Sequence, residues 1–176
     1  NKSEQRAPWT FIYTNKTFGT LVSQNSLGYT WFENSREKRL TPWSNDILRD
    51  NCGERLIVTV GNKKYDMCAV SNKVEYTKSH AIYFGNIDNI EFKVKVSVDI
   101  NLCVKFIYVE LSDTCEVEFI VNPVMGFNFQ YPHLIKNETI ENTVFYRNYY
   151  TSVMTDVTVF KSSITFGEKS FGFILG

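Results

Sequence analysis

Helix-forming sequence is the first thing this chain has little of. Alanine occurs only at Ala7, Ala69 and Ala81, and no window carries a sustained apolar stripe at helical spacing, so the balance favours strands. Charge of one sign is also lacking. Nineteen basic residues offset nineteen acidic ones, which leaves neither a basic footprint for nucleic acid nor an acidic tail. Histidine occurs only at His80 and His133. The four cysteines, Cys52, Cys68, Cys103 and Cys115, form no CxxC or Cys/His pair, so no zinc motif is present and no metal site is expected. No apolar run reaches the length of a membrane span, and no signal-peptide pattern opens the chain. The expectation is a cytoplasmic protein with four reduced thiols and no membrane contact in this segment, although two disulfides in a secreted protein remain open on count. No glycine-rich phosphate loop precedes a helix and no GxSxG elbow occurs. Two sequons, Asn15-Lys16-Thr17 and Asn137-Glu138-Thr139, read as chance matches in an Asn-rich chain.

What is present is a strand vocabulary. Hydrophobic residues make up 43% of the 176, enough to build a core and to exclude disorder. Ile90, Phe92, Val94, Val96 and Val98 alternate with Glu91, Lys93, Lys95, Ser97 and Asp99, the two-residue period of a strand with one wet face. Lys105 to Leu111 and Glu116 to Val121 read as the next strands across a turn at 112–114. Arg55 to Val60 and Lys63 to Asp66 flank Gly61-Asn62 as a short hairpin. Thr155 to Ser162 and Ser170 to Leu175 supply late strands. Antiparallel strands at this spacing indicate a sandwich, so the expected fold class is all-β, one sandwich domain or domain fragment over residues 1–176.

The richest stretch chemically is GYTWFENSREKRLTPWSND, residues 28–46. Two tryptophans suit the apolar faces of a sugar ring, and Arg, Asn and Glu suit its hydroxyls, the mixture of a sugar-handling loop. Packing tryptophans and surface ion pairs of little energy are the plainer alternative. This long gapless stretch resembles a segment near the start of the phosphorylases of glycoside hydrolase family 94, formerly glycosyltransferase family 36, and most closely the branch containing the last part of cyclic β-1,2-glucan synthases. Further stretches look family-like in order: 80–84, the 90–99 strand, Val124-Met125-Gly126, 145–150 and 156–160. Around 63–79 and 126–143 the chain diverges from the family.

The resemblance implies an antiparallel β-supersandwich similar to galactose mutarotase, incomplete where the sequence ends at Gly176. It also implies a parent enzyme whose (α/α)₆ barrel, absent from these 176 residues, carries the general acid and most of the phosphate site. No catalytic residue is therefore expected here, and no turnover from the chain alone. The implied partners are β-linked glucose oligosaccharides, the barrel of the same parent and a second copy in a homodimer. No cofactor is implied, inorganic phosphate being a co-substrate. Asn34, Ser35, Arg36, Glu37, Arg39 and Trp43 are the implied substrate-binding residues. Asn34 to Glu37 would be presented by a turn, Arg36 and Glu37 would be mainly functional, and Trp31 and Trp43 mainly packing. Arg grips a hydroxyl pair or a phosphate with its fork, and Thr41-Pro42 stiffens the segment.

A self-contained enzyme is a weaker reading. Mutarotase chemistry needs a paired acid and base, whereas His80 and His133 read as structural or surface residues. A hydrolase needs two carboxylates across a cleft, and Glu33, Glu37, Asp46 and Asp50 read as solvated loop groups. The alternation Phe127, Phe129, Tyr131, with Tyr146, Tyr149 and Tyr150 beyond it, reads as a core face, with a sugar platform as the alternative. A non-catalytic carbohydrate-binding or structural sandwich is the remaining alternative for the whole chain.

Overall fold

The computed structural model describes residues 8–36, 39–43 and 53–121, together with the backbone of five strands between 135 and 175. In chain order the elements are β1 (Thr10–Thr14), β2 (Phe18–Ser23), β3 (Ser26–Phe32), β4 (Glu54–Val60), β5 (Lys63–Asp66), α1 (Met67–Val70), β6 (Lys73–Tyr76), β7 (His80–Ile87), β8 (Ile90–Val98), β9 (Lys105–Leu111) and β10 (Glu116–Val121). They continue with β11 (Ile135–Ile140), β12 (Thr143–Asn148), β13 (Asp156–Phe160), β14 (Ser163–Thr165) and β15 (Ser170–Leu175). The strands form a three-stranded sheet β1-β2-β3, a four-stranded sheet β14-β10-β4-β5 and an eight-stranded sheet β11-β12-β13-β15-β9-β8-β7-β6. Every strand pairing is antiparallel, as the sequence predicts. Among the described residues no helix is long and apolar enough to cross a membrane. The segments 44–52 and 122–134 lie outside the described residues, and with them Cys52, His133, Phe127, Phe129 and Tyr131.

Local chemistry accounts for the central meander. Asp88 and Asn89 both take positive φ, 49° and 71°. That is the requirement of the two-residue turn that matches strand twist, and it sets Ile87 opposite Ile90. On β8 and β9 the two-residue period places Phe92, Val94, Val96, Ile107, Val109 and Leu111 inward, all buried. Lys95, Phe106 and Tyr108 lie on the other parity, half-buried or exposed. One core is shared by the three sheets: Val22 and Leu27 from the first, Leu56, Val117 and Phe119 from the second, Tyr83, Val94 and Ile107 from the third. Each such fully buried side chain contributes roughly 1.5–3 kcal/mol. Tyr83 is fully buried, and its hydroxyl lies 2.7 Å from the Ser23 carbonyl and 3.0 Å from that of Ser26. This ties the eight-stranded sheet to the β2–β3 turn.

Polar side chains fix the rest of the frame. The Asp66 carboxylate caps α1, accepting from Cys68 N at 3.2 Å and Ala69 N at 3.3 Å, while Arg55 Nε holds its other oxygen at 3.0 Å. Asn15 closes the β1–β2 turn by accepting from Thr17 N and Phe18 N. Its Nδ2 donates to the carbonyls of Asp99 and Leu102 at 2.9 and 2.8 Å. The amide of that sequon is therefore consumed by the fold.

Two glycines are required by close approach. Gly28 has a φ of +71°, and a Cβ there would lie 1.7 Å from the Leu21 carbonyl oxygen, at the register shift between Leu21 and Ser23. At Gly19 a Cβ would lie 2.4 Å from the indole of Trp31, so the bare backbone is what makes room for that ring.

Candidate functional site

The segment expected to be a loop begins as strand. Gly28 to Phe32 belong to β3, with Tyr29 paired to Leu21, Thr30 to Thr20 and Trp31 to Gly19. The chain turns after Phe32, where Glu33 takes a φ of 58°. Asn34 Oδ1 accepts from Arg36 N at 2.9 Å, the local bond by which Asn shapes turns. Asn34, Ser35 and Arg36 are exposed in this turn. Residues 39–43 then run back alongside β3. Leu40 N donates to the Thr30 carbonyl at 2.8 Å, and Arg39 forms an isolated antiparallel bridge with Trp31. Glu37 lies outside the described residues, as do Asp46 and Asp50.

Arg39, Tyr29 and Trp43 are brought together. The Trp43 ring stacks on Tyr29 with centroids 5.3 Å apart and planes 14° apart, and Tyr29 meets Trp31 at 5.1 Å, tilted 38°. The Arg39 guanidinium lies 5.4 Å from the Tyr29 ring centroid, the separation of a cation–π contact. Arg39 also clips the turn. Its Nε donates to the Ser35 carbonyl at 3.1 Å and its Nη1 to that of Trp43 at 3.1 Å. Trp31 is buried, whereas Trp43 keeps part of its surface in water. The result is a half-buried indole beside a guanidinium, with Asn34, Ser35 and Arg36 on the exposed turn next to them. Such a surface offers an aromatic face for stacking and polar groups for hydrogen bonding.

Beneath the segment lies a feature that sequence reasoning missed. Lys105 on β9 and Glu54 on β4 form an ion pair with neither side chain exposed at all. Both partners are saturated. Besides its contact with Glu54 Oε2, Lys105 Nζ donates to Thr20 Oγ1 at 2.8 Å and to the Leu27 carbonyl at 2.9 Å. Glu54 Oε1 accepts from Thr30 Oγ1 at 2.6 Å and from Thr41 Oγ1 at 2.7 Å. Thr41 Oγ1 in turn accepts from Thr30 N at 2.8 Å. One buried pair thus joins the three sheets and reaches into the returning segment through Thr41. Parity was the available signal. Lys105 is in phase with the inward Ile107 and Val109, and Glu54 with the inward Leu56 and Val58.

Among the described residues acid–base chemistry is sparse around the segment. Glu54 is committed to its network, and Glu33 is an exposed turn residue. His80 opens β7 with Nδ1 2.9 Å from Ser79 Oγ. Among the described residues no group of three or more His, Cys, Asp or Glu side chains converges on a site for a metal ion. Cys103 and Cys115 are free thiols, and burial, then the nearby Asp113, raises the Cys115 pKa.

Fold and segment together define an antiparallel β-sandwich that presents a braced aromatic and arginine surface on one returning segment. The chain belongs to the glycosyl hydrolase 94 supersandwich domain family, whose model matches residues 1–170. It is thus a domain of a carbohydrate-active enzyme family. Part of it is also similar to the cyclic β-(1,2)-glucan synthase NdvB of Rhizobium meliloti (strain 1021), 39% identical over 51 residues. That match spans 29% of this chain and 2% of the relative's length.

Proposed function

We propose that this chain is the N-terminal sandwich of an inverting β-glucan phosphorylase and that it shapes the acceptor side of the active site and the dimer. In the parent reaction an oxygen of inorganic phosphate attacks the anomeric carbon as the glycosidic C–O bond breaks with inversion. The departing oxygen takes its proton from a general acid in the barrel of the parent, and the products are α-glucose 1-phosphate and a shortened acceptor. Phosphate is itself the nucleophile, so one protein carboxyl suffices and no cofactor takes part. Beyond the family match, the observation that carries the reading is the Trp43–Tyr29–Arg39 stack beside the exposed Asn34–Arg36 turn. An acceptor ring would stack on Trp43, while the turn and Glu37 meet its hydroxyls. The parent is read as a cytoplasmic protein. The relative's printed name puts the β-1,2 linkage first among those to test.

The direct test supplies the intact parent protein with α-glucose 1-phosphate and, in turn, glucose, sophorose, laminaribiose and cellobiose, and follows phosphate release. Release with one acceptor is the expected result, with sophorose the leading candidate, and the linkage is read from the product formed. A folded parent that releases no phosphate with any of the four overturns the reading. A second reading, a non-catalytic carbohydrate-binding or structural sandwich, has one observation in its favour. Arg39 already gives Nε and Nη1 to the Ser35 and Trp43 carbonyls, which makes it a brace for the segment.

A further inference from the structure

We propose that Thr41 is a positioning residue that anchors the Arg39–Trp43 segment to the buried Glu54–Lys105 pair and so sets the affinity for the acceptor sugar. The acceptor part of this inference rests on the phosphorylase reading above. The segment is held at two levels. On its outer side Arg39 clips Ser35 to Trp43 and stacks on Tyr29. On its inner side the backbone gives one strong bond to β3, Leu40 N to the Thr30 carbonyl at 2.8 Å, and a longer one from Thr41 N to the same oxygen at 3.4 Å. Pro42 follows and has no N–H to add. The Pro42 carbonyl accepts from Gly53 N at 3.2 Å, and the side-chain contact on this side is the Thr41 hydroxyl, 1% exposed, which accepts from Thr30 N and donates to Glu54 Oε1.

That carboxylate is an unusually rigid anchor. Its other oxygen is held by Lys105, which Thr20 and Leu27 hold in turn. A bond to a fixed, desolvated anion is stronger and better aimed than one between neutral groups. Thr41 therefore transmits the position of the three-sheet junction to Trp43, two residues along the chain. Removing its hydroxyl leaves the Glu54 carboxylate bonded to Thr30 Oγ1 and Lys105, while Thr30 N loses its acceptor and the segment loses its tie to the carboxylate.

The experiment compares Thr41→Val and Thr41→Ser in the intact parent. Valine keeps the shape without the hydroxyl, and serine restores the hydroxyl. Expected for Thr41→Val are an acceptor KM raised on the order of tenfold, the weight of one hydrogen bond to a charged group, a kcat and a KM for α-glucose 1-phosphate within about twofold of wild type, and faster hydrogen exchange at the Leu40 amide. Thr41→Ser is expected to restore all of these. An unchanged acceptor KM, or a kcat that falls in step with the melting temperature in both variants, overturns the proposal. If the wild-type parent releases no phosphate with any acceptor, the phosphorylase reading falls and the acceptor assignment with it. Exchange then decides the anchor by itself. A faster Leu40 amide in Thr41→Val retains the anchor, and an unchanged one removes it.

Discussion

Lys105→Met removes a charge from the centre of the sandwich while nearly conserving side-chain length. The substitution strands the Glu54 carboxylate, which is not exposed at all, and leaves Thr20 Oγ1 and the Leu27 carbonyl without the donor they have now. Breaking a buried pair from one side costs roughly 3–5 kcal/mol, because the remaining charge is uncompensated. An orphaned carbonyl alone would cost about 1–3 kcal/mol, but the groups share one network, so their costs do not add. The expected loss is therefore roughly 3–5 kcal/mol, a large share of the ~5–15 kcal/mol that holds an ordinary domain. Glu54→Gln in the same background keeps an oxygen for Thr30 and Thr41 and removes the stranded charge, so the double variant is expected to be more stable than Lys105→Met alone. Urea unfolding of the four proteins gives the cycle, with each midpoint converted through its slope. A coupling energy of about 2 kcal/mol or more is expected. Additive single costs, or a Lys105→Met loss under about 1 kcal/mol at unchanged slope, would refute the claim that this pair holds the sheets together.

Three further outcomes follow from the same geometry. Burial raises the phenol of Tyr13 from 10.0 to about 12 and also raises those of Tyr76 and Tyr83. The folded state resists losing these protons, so this contribution to stability is complete below pH 10 and is lost as pH climbs from there through about 12. Denaturant midpoints are thus expected to fall across that alkaline window, and flat midpoints would contradict the burial of these rings. Gly28→Ala and Gly61→Ala separate strain from collision, since both positions have positive φ but only Gly28 has a carbonyl in the way. Gly61→Ala is expected to cost about 1–2 kcal/mol, the left-handed penalty alone, and Gly28→Ala clearly more; equal losses in thermal melts would refute the distinction. Asp66→Ala removes the α1 cap, worth about 1 kcal/mol, and a partly exposed ion pair with Arg55 worth up to about 1 more. A change below about 0.5 kcal/mol in urea unfolding would show that the cap is idle.

How far the fold was legible depended on whether each strand has a wet face. β8, β9 and β10 alternate between core and solvent, and their limits could be read to within a residue. β2 and most of β3 could not, because every residue of β2 and the first six of β3 are buried. A strand covered on both faces has no two-residue period to display, and here its buried positions include Thr20, Ser23, Ser26 and Thr30, so β2 gave no strand signal and 28–46 read as a loop. Those polar residues are not a flaw in the core. Thr20, Thr30 and Thr41 are inside because Lys105 and Glu54 are inside, and the buried charges need their hydroxyls. Sequence could show that Lys105 falls on the inward parity of β9, but the partner lies 51 residues away, a separation that no local pattern encodes. The tryptophans and arginines of 28–46 drew attention as surface chemistry, and Trp43, Arg39 and Tyr29 do meet. Two inconspicuous threonines tie them to the ion pair on which the three sheets converge: Thr20 bonds the Tyr29 carbonyl and Lys105, and Thr41, inside the returning segment itself, bonds Glu54.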